Sequence, residues 1–258
     1  MTLSFVFDII PLILAGSGRD NMTKQKEYLE CEKLWVFAML IFVAGFYGAY
    51  TLVVRGGVFC NAQTGNMALL GVALGSGNWR KALYYLIPIS GYFLGSMVSE
   101  AVPRHIRRFR LRWDTLLTLI EIVVVAVLGF IPASAPDQIC QVAINFICAM
   151  QYNTFRQAEG IGSATTFCTN HTRMFGSNFI RLIFRRKEYP DAVQKVKSHG
   201  LMLLCFALGA IASSFLCVWF GVHAIWFAII PLAILFADLL KADLTTEKDK
   251  LTVAPRGH

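Results

Sequence analysis

The sequence predicts an all-α membrane protein, a polytopic bundle of about six transmembrane helices. Of its 258 residues, 56% are hydrophobic and only 16% are charged, whereas about a quarter of a typical soluble domain is charged. Its long apolar stretches each contain about 20 residues, the number that a helix needs to cross a bilayer. The basic residues behind the net charge of +8 lie in short segments between those stretches. Because such segments fix membrane orientation, we expect a lipid bilayer and not a nucleic acid as the partner.

Six apolar stretches predict the membrane-spanning helices. They cover residues 34–54, 82–102, 114–131, 138–158, 198–220 and 223–240. With their loops they use most of the chain, so we expect one membrane domain over 34–240 and no separate soluble domain. The segment 1–33 is predicted to be interfacial or cytoplasmic, because its apolar start contains Asp8 and Pro11 and lacks the basic residues of a signal peptide. Residues 241–258 are predicted to form a cytoplasmic tail.

Two further stretches, dip 1 (56–76) and dip 2 (160–184), are long enough to span but are interrupted by polar residues. These are Asn61, Gln63, Thr64, Gly65 and Asn66 in dip 1, and Thr169, Asn170, His171, Thr172 and Arg173 in dip 2. The basic clusters 104–112 and 185–197 both lie in the cytoplasm only if each dip enters the membrane and returns to its own face. This topology also places both termini in the cytoplasm. In the alternative, both dips span and the chain crosses eight times, which leaves one basic cluster outside.

The chain also contains a weak internal repeat. Thr64, Gly65, Asn66 and Gly71 match Thr169, Asn170, His171 and Gly176 at an offset of 105, and Gly91, Gly95 and Ser99 match Cys205, Gly209 and Ser213 at an offset of 114. A competing alignment at an offset of 108 pairs Phe59 with Phe167 but loses the match between Gly71 and Gly176. The repeats cover about 34–131 and 138–240. Because each has three crossings, an odd number, the second is predicted to be inverted relative to the first, as in many transporters.

The two dips form the candidate site. Non-helical backbone at membrane depth must be buried in protein or line a wet cavity, and dips from opposite faces would meet near the midplane. Asn61 or Thr64 is predicted to cap a short helix in dip 1. Thr169 or Asn170 is predicted to cap a second helix that runs to about Phe184. Both helix N-termini would then point inward, where their amides suit an anion or a polar solute.

The candidate substrate-binding residues are polar side chains of the two dips. They are Gln63, Thr64, Asn66, Thr169, Asn170, His171 and Arg173. In the alternative interpretation, these side chains only satisfy one another across the broken backbone. The small residues spaced four apart, such as Gly91 and Gly95, are predicted to let helices approach closely.

Glu121 lies well inside the apolar stretch 114–131 and is the candidate proton-coupling residue. A lone carboxylate is costly at this depth, and such residues are usually functional. It could carry a proton, stay neutral, or pair with Arg173 or with a polar group on another helix.

No metal, cofactor or enzymatic activity is expected. The seven cysteines lack metal-type spacing, and Cys60 and Cys168 are interpreted as packing residues. The chain also lacks the common hydrolase, metalloprotease and phosphate-loop motifs.

The stretch Asn61-Ala62-Gln63-Thr64-Gly65-Asn66 and the later stretch from Ala164 to Thr169 resemble the YoaK-like family of multi-pass bacterial membrane proteins. The resemblance implies a bacterial inner-membrane location but no substrate, because the function of that family is not established. The repeats and dips favour a small transporter or channel-like permease for an anionic or polar solute, with homo-oligomerisation possible. The alternative is a non-transporting membrane protein that acts in assembly or signalling.

Overall fold

The computed structural model describes residues 28–101, 111–251 and 253–256. Residues 1–27 of the predicted interfacial segment and most of the basic cluster 104–112 therefore lie outside the described residues. Within the described ranges the protein is helical except for a small β-hairpin, which confirms the all-α fold class.

The helices follow the predicted stretches in order. They are α1 (Leu34–Val54), α2 (Gln63–Gly75), α3 (Trp79–Ala101), α4 (Trp113–Leu128), α5 (Asp137–Thr154), α6 (Thr169–Phe184), α7 (Ala192–Phe220) and α8 (Ile229–Leu244). In the described part of the chain, three short 3₁₀ segments accompany them, at Glu30–Glu32, Gly221–Ala228 and Lys248–Lys250. The hairpin consists of β1 (Gln157–Ala158) and β2 (Ile161–Gly162).

Two boundaries differ from the sequence prediction. The stretch 138–158 was expected to be one span, but α5 ends at Thr154 and the chain turns into the hairpin. The turn is tight because Glu159 and Gly160 both have positive φ angles, 50° and 80°. The last predicted span, 223–240, begins as a 3₁₀ segment, and its α-helix starts only at Ile229.

Three helical stretches in the described residues are long and apolar enough to cross a membrane. They are Leu34–Val54, Trp79–Ala101 and Ala192–Leu244, the last of which combines α7, a 3₁₀ segment and α8 over 53 residues. These stretches are consistent with a membrane protein. Gly221, with a φ of 54°, marks the break within the third stretch.

Two close helix pairs, α1 with α7 and α3 with α5, form the framework of the bundle. Glycines permit this proximity. A Cβ atom built on Gly209 of α7 would overlap the Phe42 carbonyl of α1, and one built on Gly95 of α3 would overlap the Phe146 carbonyl of α5. The prediction that small residues let helices approach is confirmed at these positions. The short helices pack on their successors, α2 on α3 and α6 on α7, while α4 packs on α8.

The start of α4, the end of α8 and the tail meet at one end of the bundle. Arg112 belongs to the basic cluster, yet it is buried and its guanidinium binds Asp114 at 3.1 Å. The same group donates to the carbonyls of Lys250 and Val253, each at 3.2 Å, and the Arg112 amide donates to Asp243 at 3.0 Å. The tail thus packs back on the membrane domain.

Candidate functional site

The chain in dip 1 reaches the centre of the bundle. After α1 ends, the chain turns back inward through the buried residues Val58 and Cys60. The side-chain amide of Asn61 then donates to the Ala44 carbonyl at 2.9 Å. Ala44 lies in the middle of α1. The polar start of α2 therefore lies level with the middle of a helix that is long enough to span.

A buried amide network surrounds the start of α2. The side chain of Asn66 accepts a hydrogen bond from the Phe59 amide at 3.2 Å and donates to the Phe59 carbonyl at 2.6 Å. It also donates to Gln63 at 3.2 Å, and Gln63 donates to Asn145 of α5 at 2.6 Å. Asn145 in turn donates to the Gln141 carbonyl at 2.7 Å. Dip 1 is thereby tied to α5.

Dip 2 has a corresponding arrangement built from histidines. His171, in the first turn of α6, lies with Nε2 2.7 Å from the Ala164 carbonyl. Its Nδ1 is 2.9 Å from Nδ1 of His199 on α7, and both rings are buried. Farther along the same loop, Gln151 of α5 donates to the Thr165 carbonyl at 3.2 Å.

The seven predicted site residues divide between buried and exposed positions. Asn66 and His171 are buried and tie their helices to the preceding loop, while Gln63 is half-buried and joins the amide network. The side chains of Thr64, Thr169 and Arg173 are exposed, and Arg173 donates to Asn170 at 3.0 Å. Among the described residues no hydrogen bond joins dip 1 to dip 2, so the structure gathers the seven into two clusters.

The capping predictions were wrong. The N-cap positions of α2 and α6 are Ala62 and Cys168, and neither side chain caps the helix. Asn61 lies one residue before the N-cap of α2, and its side-chain nitrogen donates to the Ala44 carbonyl. Thr64 and Thr169 lie inside their helices, in the first turn and already past the N-cap position. The first amides of both helices are consequently left without a side-chain acceptor.

Glu121 of α4 is buried, and neither carboxyl oxygen has a hydrogen-bond partner. The pairing with Arg173, which the sequence left open, is absent because Arg173 is exposed and bound to Asn170. Tyr47, whose buried hydroxyl also lacks a partner, lies within electrostatic range of Glu121. The interior therefore holds an uncompensated acid.

Several polar residues of the interior were not among the predicted site residues. They are Tyr47, Gln141, Asn145, Gln151 and His199. A signal for some of them was present, since Gln141 and Asn145 are polar residues four apart on one face of an apolar helix. Tyr47 and His199 gave no such signal, because each is compatible with an ordinary apolar or interfacial position.

A comparison with models of known protein families finds a match. A family model described as "Protein of unknown function (DUF1275)" matches residues 36–237. The match is consistent with the YoaK-like resemblance of the two polar stretches and confirms it. No curated protein and no solved structure matches the chain.

Proposed function

We propose that this chain, which belongs to the DUF1275 family of unknown function, is a small-solute transporter or channel-like permease. Its two halves are inverted copies of a three-crossing unit, and its site lies where the two dips reach mid-depth. An anionic or polar solute is favoured. The protein is placed in a bacterial inner membrane with both termini in the cytoplasm.

Equivalent glycine contacts support the repeat. Gly95 meets the Phe146 carbonyl, and Gly209 meets the Phe42 carbonyl. The two glycines are a matched pair at the offset of 114 found in the sequence, and the two phenylalanines occupy equivalent places in α5 and α1. The pair α3–α5 thus corresponds to the pair α7–α1, as a two-fold relation between halves requires.

Contacts at the helix ends support the inversion. The Leu34 amide at the start of α1 binds Glu159, just after α5 ends, so α1 and α5 run in opposite directions. Tyr84 near the start of α3 and Val222 just beyond α7 both bind residues at or near the end of α1. Helices α3 and α7 therefore also run in opposite directions. Trp226, just before α8, donates to the Ala126 carbonyl near the end of α4. Helices α4 and α8 therefore also run in opposite directions.

The dips themselves correspond. Asn66 binds the backbone of Phe59, seven residues earlier, and His171 binds the backbone of Ala164, also seven residues earlier. Both pairs are related by the offset of 105, which supports that alignment over the one at 108. Helix α2 has 13 residues, about 20 Å at 1.5 Å per residue. This is short of the bilayer core of about 30 Å, which favours a dip over a full crossing.

The observation that carries the proposal is the pair of uncapped helix N-termini at the inner ends of the dips. Free backbone amides are not tolerated in hydrocarbon and need protein, water or a solute as acceptor. The helix dipole adds a partial positive charge, so the preferred acceptor is an anion or a polar oxygen. Glu121, buried without a partner, supplies a candidate for proton coupling, because an uncompensated carboxylate is costly there.

A non-transporting role is the second candidate, and the polar networks favour it. Gln63 with Asn145, and His171 with Ala164, satisfy one another across the broken backbone as a structural role requires. In this case the dips stabilise a surface for an assembly or signalling partner.

Uptake into proteoliposomes separates the two candidates. We expect purified protein to take up at least one solute from a panel of small anions, amino acids and polar metabolites. Gln63→Glu should lower anion uptake by about tenfold or more, because a like charge near the site costs at least about 1.4 kcal/mol. The matched variant Gln63→Met, without the charge, should reduce uptake less. Folded protein that takes up nothing from the panel would favour the second candidate.

A further inference from the structure

The buried histidine pair of dip 2 has a fixed proton arrangement. A carbonyl oxygen only accepts hydrogen bonds, so Nε2 of His171 must donate to Ala164. In a neutral ring the other nitrogen is then bare, and Nδ1 of His171 accepts a hydrogen bond from Nδ1 of His199. Nε2 of His199 is left without a proton. It is buried and has no hydrogen-bond partner.

Apart from its partner His171, the charged groups that act on His199 are two cations, one of which, Lys195, is itself paired with Asp191. Arg173 from α6 and Lys195 from α7 act on His199. The loop that precedes α6 contributes the carbonyl of Ala164 and no carboxylate that acts on the pair, within the part of the chain that the structure describes. A proton added to the pair would therefore be an uncompensated cation.

We propose that the His171–His199 pair is a proton-binding site that controls the attachment of dip 2 to α7. The first proton enters at Nε2 of His199, the free acceptor. The resulting imidazolium is repelled by Arg173 and Lys195 and has no carboxylate partner. A second proton would occupy Nδ1 of His171 and remove the acceptor of the only hydrogen bond that joins the rings. Acidification thus separates the two rings and frees the start of α6 from α7.

Dip 1 provides an internal contrast. Its equivalent residue is Asn66, which makes the same backbone tie seven residues back but cannot take up a proton. Of these two corresponding ties, only that of dip 2 can therefore respond to protons. This deepens the proposed function and rests on it for the consequence for transport, namely that protons regulate the inner end of one dip. The proton site itself rests on the geometry of the pair.

Electron paramagnetic resonance of a spin label on Cys168 tests the proposal. Five of the seven cysteines are buried, so Cys205→Ala leaves Cys168 as the only accessible thiol. Cys168 is the N-cap of α6 and lies three residues from His171. We expect the label to become more mobile as the pH falls from about 8 to about 3.5, a range that extends below that of ordinary histidines because the buried pair has no carboxylate to stabilise its cation.

Two variants and a matched site supply the controls. His199→Gln and His171→Asn should each give spectra that do not change with pH, and the second places in dip 2 the residue found in dip 1. A label on Ala62→Cys, in a background that carries both Cys168→Ala and Cys205→Ala, should report no change in dip 1. The same pH response in both histidine variants, or no response in the folded parent, would overturn the proposal. Because the spectra do not depend on transport, a protein without measurable uptake would sink the proposed function while this titration still decides the proton site.

Discussion

At the scale of single residues, the interior of this bundle is marked by polar atoms that have no partner. Glu121 and Tyr47 lie within electrostatic range of each other, yet neither side chain makes a hydrogen bond. Burying such groups costs about 1–3 kcal/mol each in protein mutational data. A cost of this size in a buried core indicates a role other than stability.

Replacing Glu121 with Met should therefore stabilise the protein. The substitution removes an unsatisfied buried carboxyl group and fills a similar volume, so we expect the free energy of unfolding to rise by about 1–3 kcal/mol. Thermal unfolding in detergent measures the change. Glu121→Gln, which keeps a polar group of the same shape, should gain less. A lower Tm for the Met variant would show that the carboxyl has a stabilising partner.

The same two variants address proton coupling. If Glu121 carries a proton during transport, both should remove the pH dependence of uptake that Glu121 causes, because neither side chain titrates. Unchanged pH dependence in Glu121→Gln would assign the residue no such role.

At the scale of elements, the helix pairs depend on glycine while the dips depend on hydrogen bonds. Helices α1 and α7 approach until backbone meets backbone at Gly209. In the dips, the loops that precede α2 and α6 are instead held by hydrogen bonds from Asn66 and His171. The glycines of the short helices, Gly71 and Gly176, have no atom within 4 Å of an added Cβ. We therefore predict that substitution lowers stability at the glycines between long helices but not at the glycines of the short helices.

Gly95→Ala and Gly209→Ala should each destabilise the protein. The added methyl group would overlap a carbonyl of the neighbouring helix, and overpacking of this kind costs about 1–3 kcal/mol. Gly71→Ala and Gly176→Ala are the matched controls. They should be neutral or stabilising by up to about 1 kcal/mol, since alanine favours a helix and nothing opposes it. Thermal unfolding of the four variants checks the contrast, which equal losses in all four would contradict.

At the scale of the whole molecule, the described residues before α1 and after α8 meet at one end of the bundle. The Arg256 amide of the tail binds Glu32, and the Glu30 amide binds Glu247. Arg112 binds the tail at the same end. Residues 30–32 and the described part of the tail therefore lie at the same end of the membrane domain.

Cysteine accessibility tests the inverted arrangement. The turn before α3 and the loop after α6 are exposed, and the proposal places them on opposite faces. A membrane-impermeant thiol reagent should label Asn78→Cys from outside the cell and Arg186→Cys only after the membrane is opened. Val253→Cys, in the tail, should behave like Arg186→Cys. Labelling of Asn78→Cys and Arg186→Cys from one face would rule out the inversion.

Much of the fold could be predicted because a stretch of sequence must be long and apolar enough to cross the bilayer. Each stretch satisfies this condition, or does not, independently of the rest of the chain. Helix α1 was predicted with the bounds that it has, Leu34–Val54, because it is uniformly apolar and flanked by Lys33 and Arg55. Helix α6 ends at Phe184, as predicted, where a basic cluster follows. The end of α5 was missed because Phe155 and Ala158 are as apolar as a helix continuation would be.

The candidate site was predicted in part, and the reason lies in the distance between partners. The polar interruptions were identified from local composition, and all seven predicted residues lie in the dips. Which of them are buried, and what they bind, depends on other helices. Gln63 binds Asn145, 82 residues away, and no local pattern specifies that contact.

The sequence by itself determined a helical membrane protein of this family, the order of its apolar stretches and the two polar interruptions, because lipid imposes length and hydropathy one segment at a time. Only the tertiary structure decided that α1 lies against α7 and α3 against α5, that Glu121 has no partner, and that His171 meets His199. These features arise from packing between segments that are distant in the chain. Side-chain partners, and with them the state of each buried polar group, are fixed only when those segments meet.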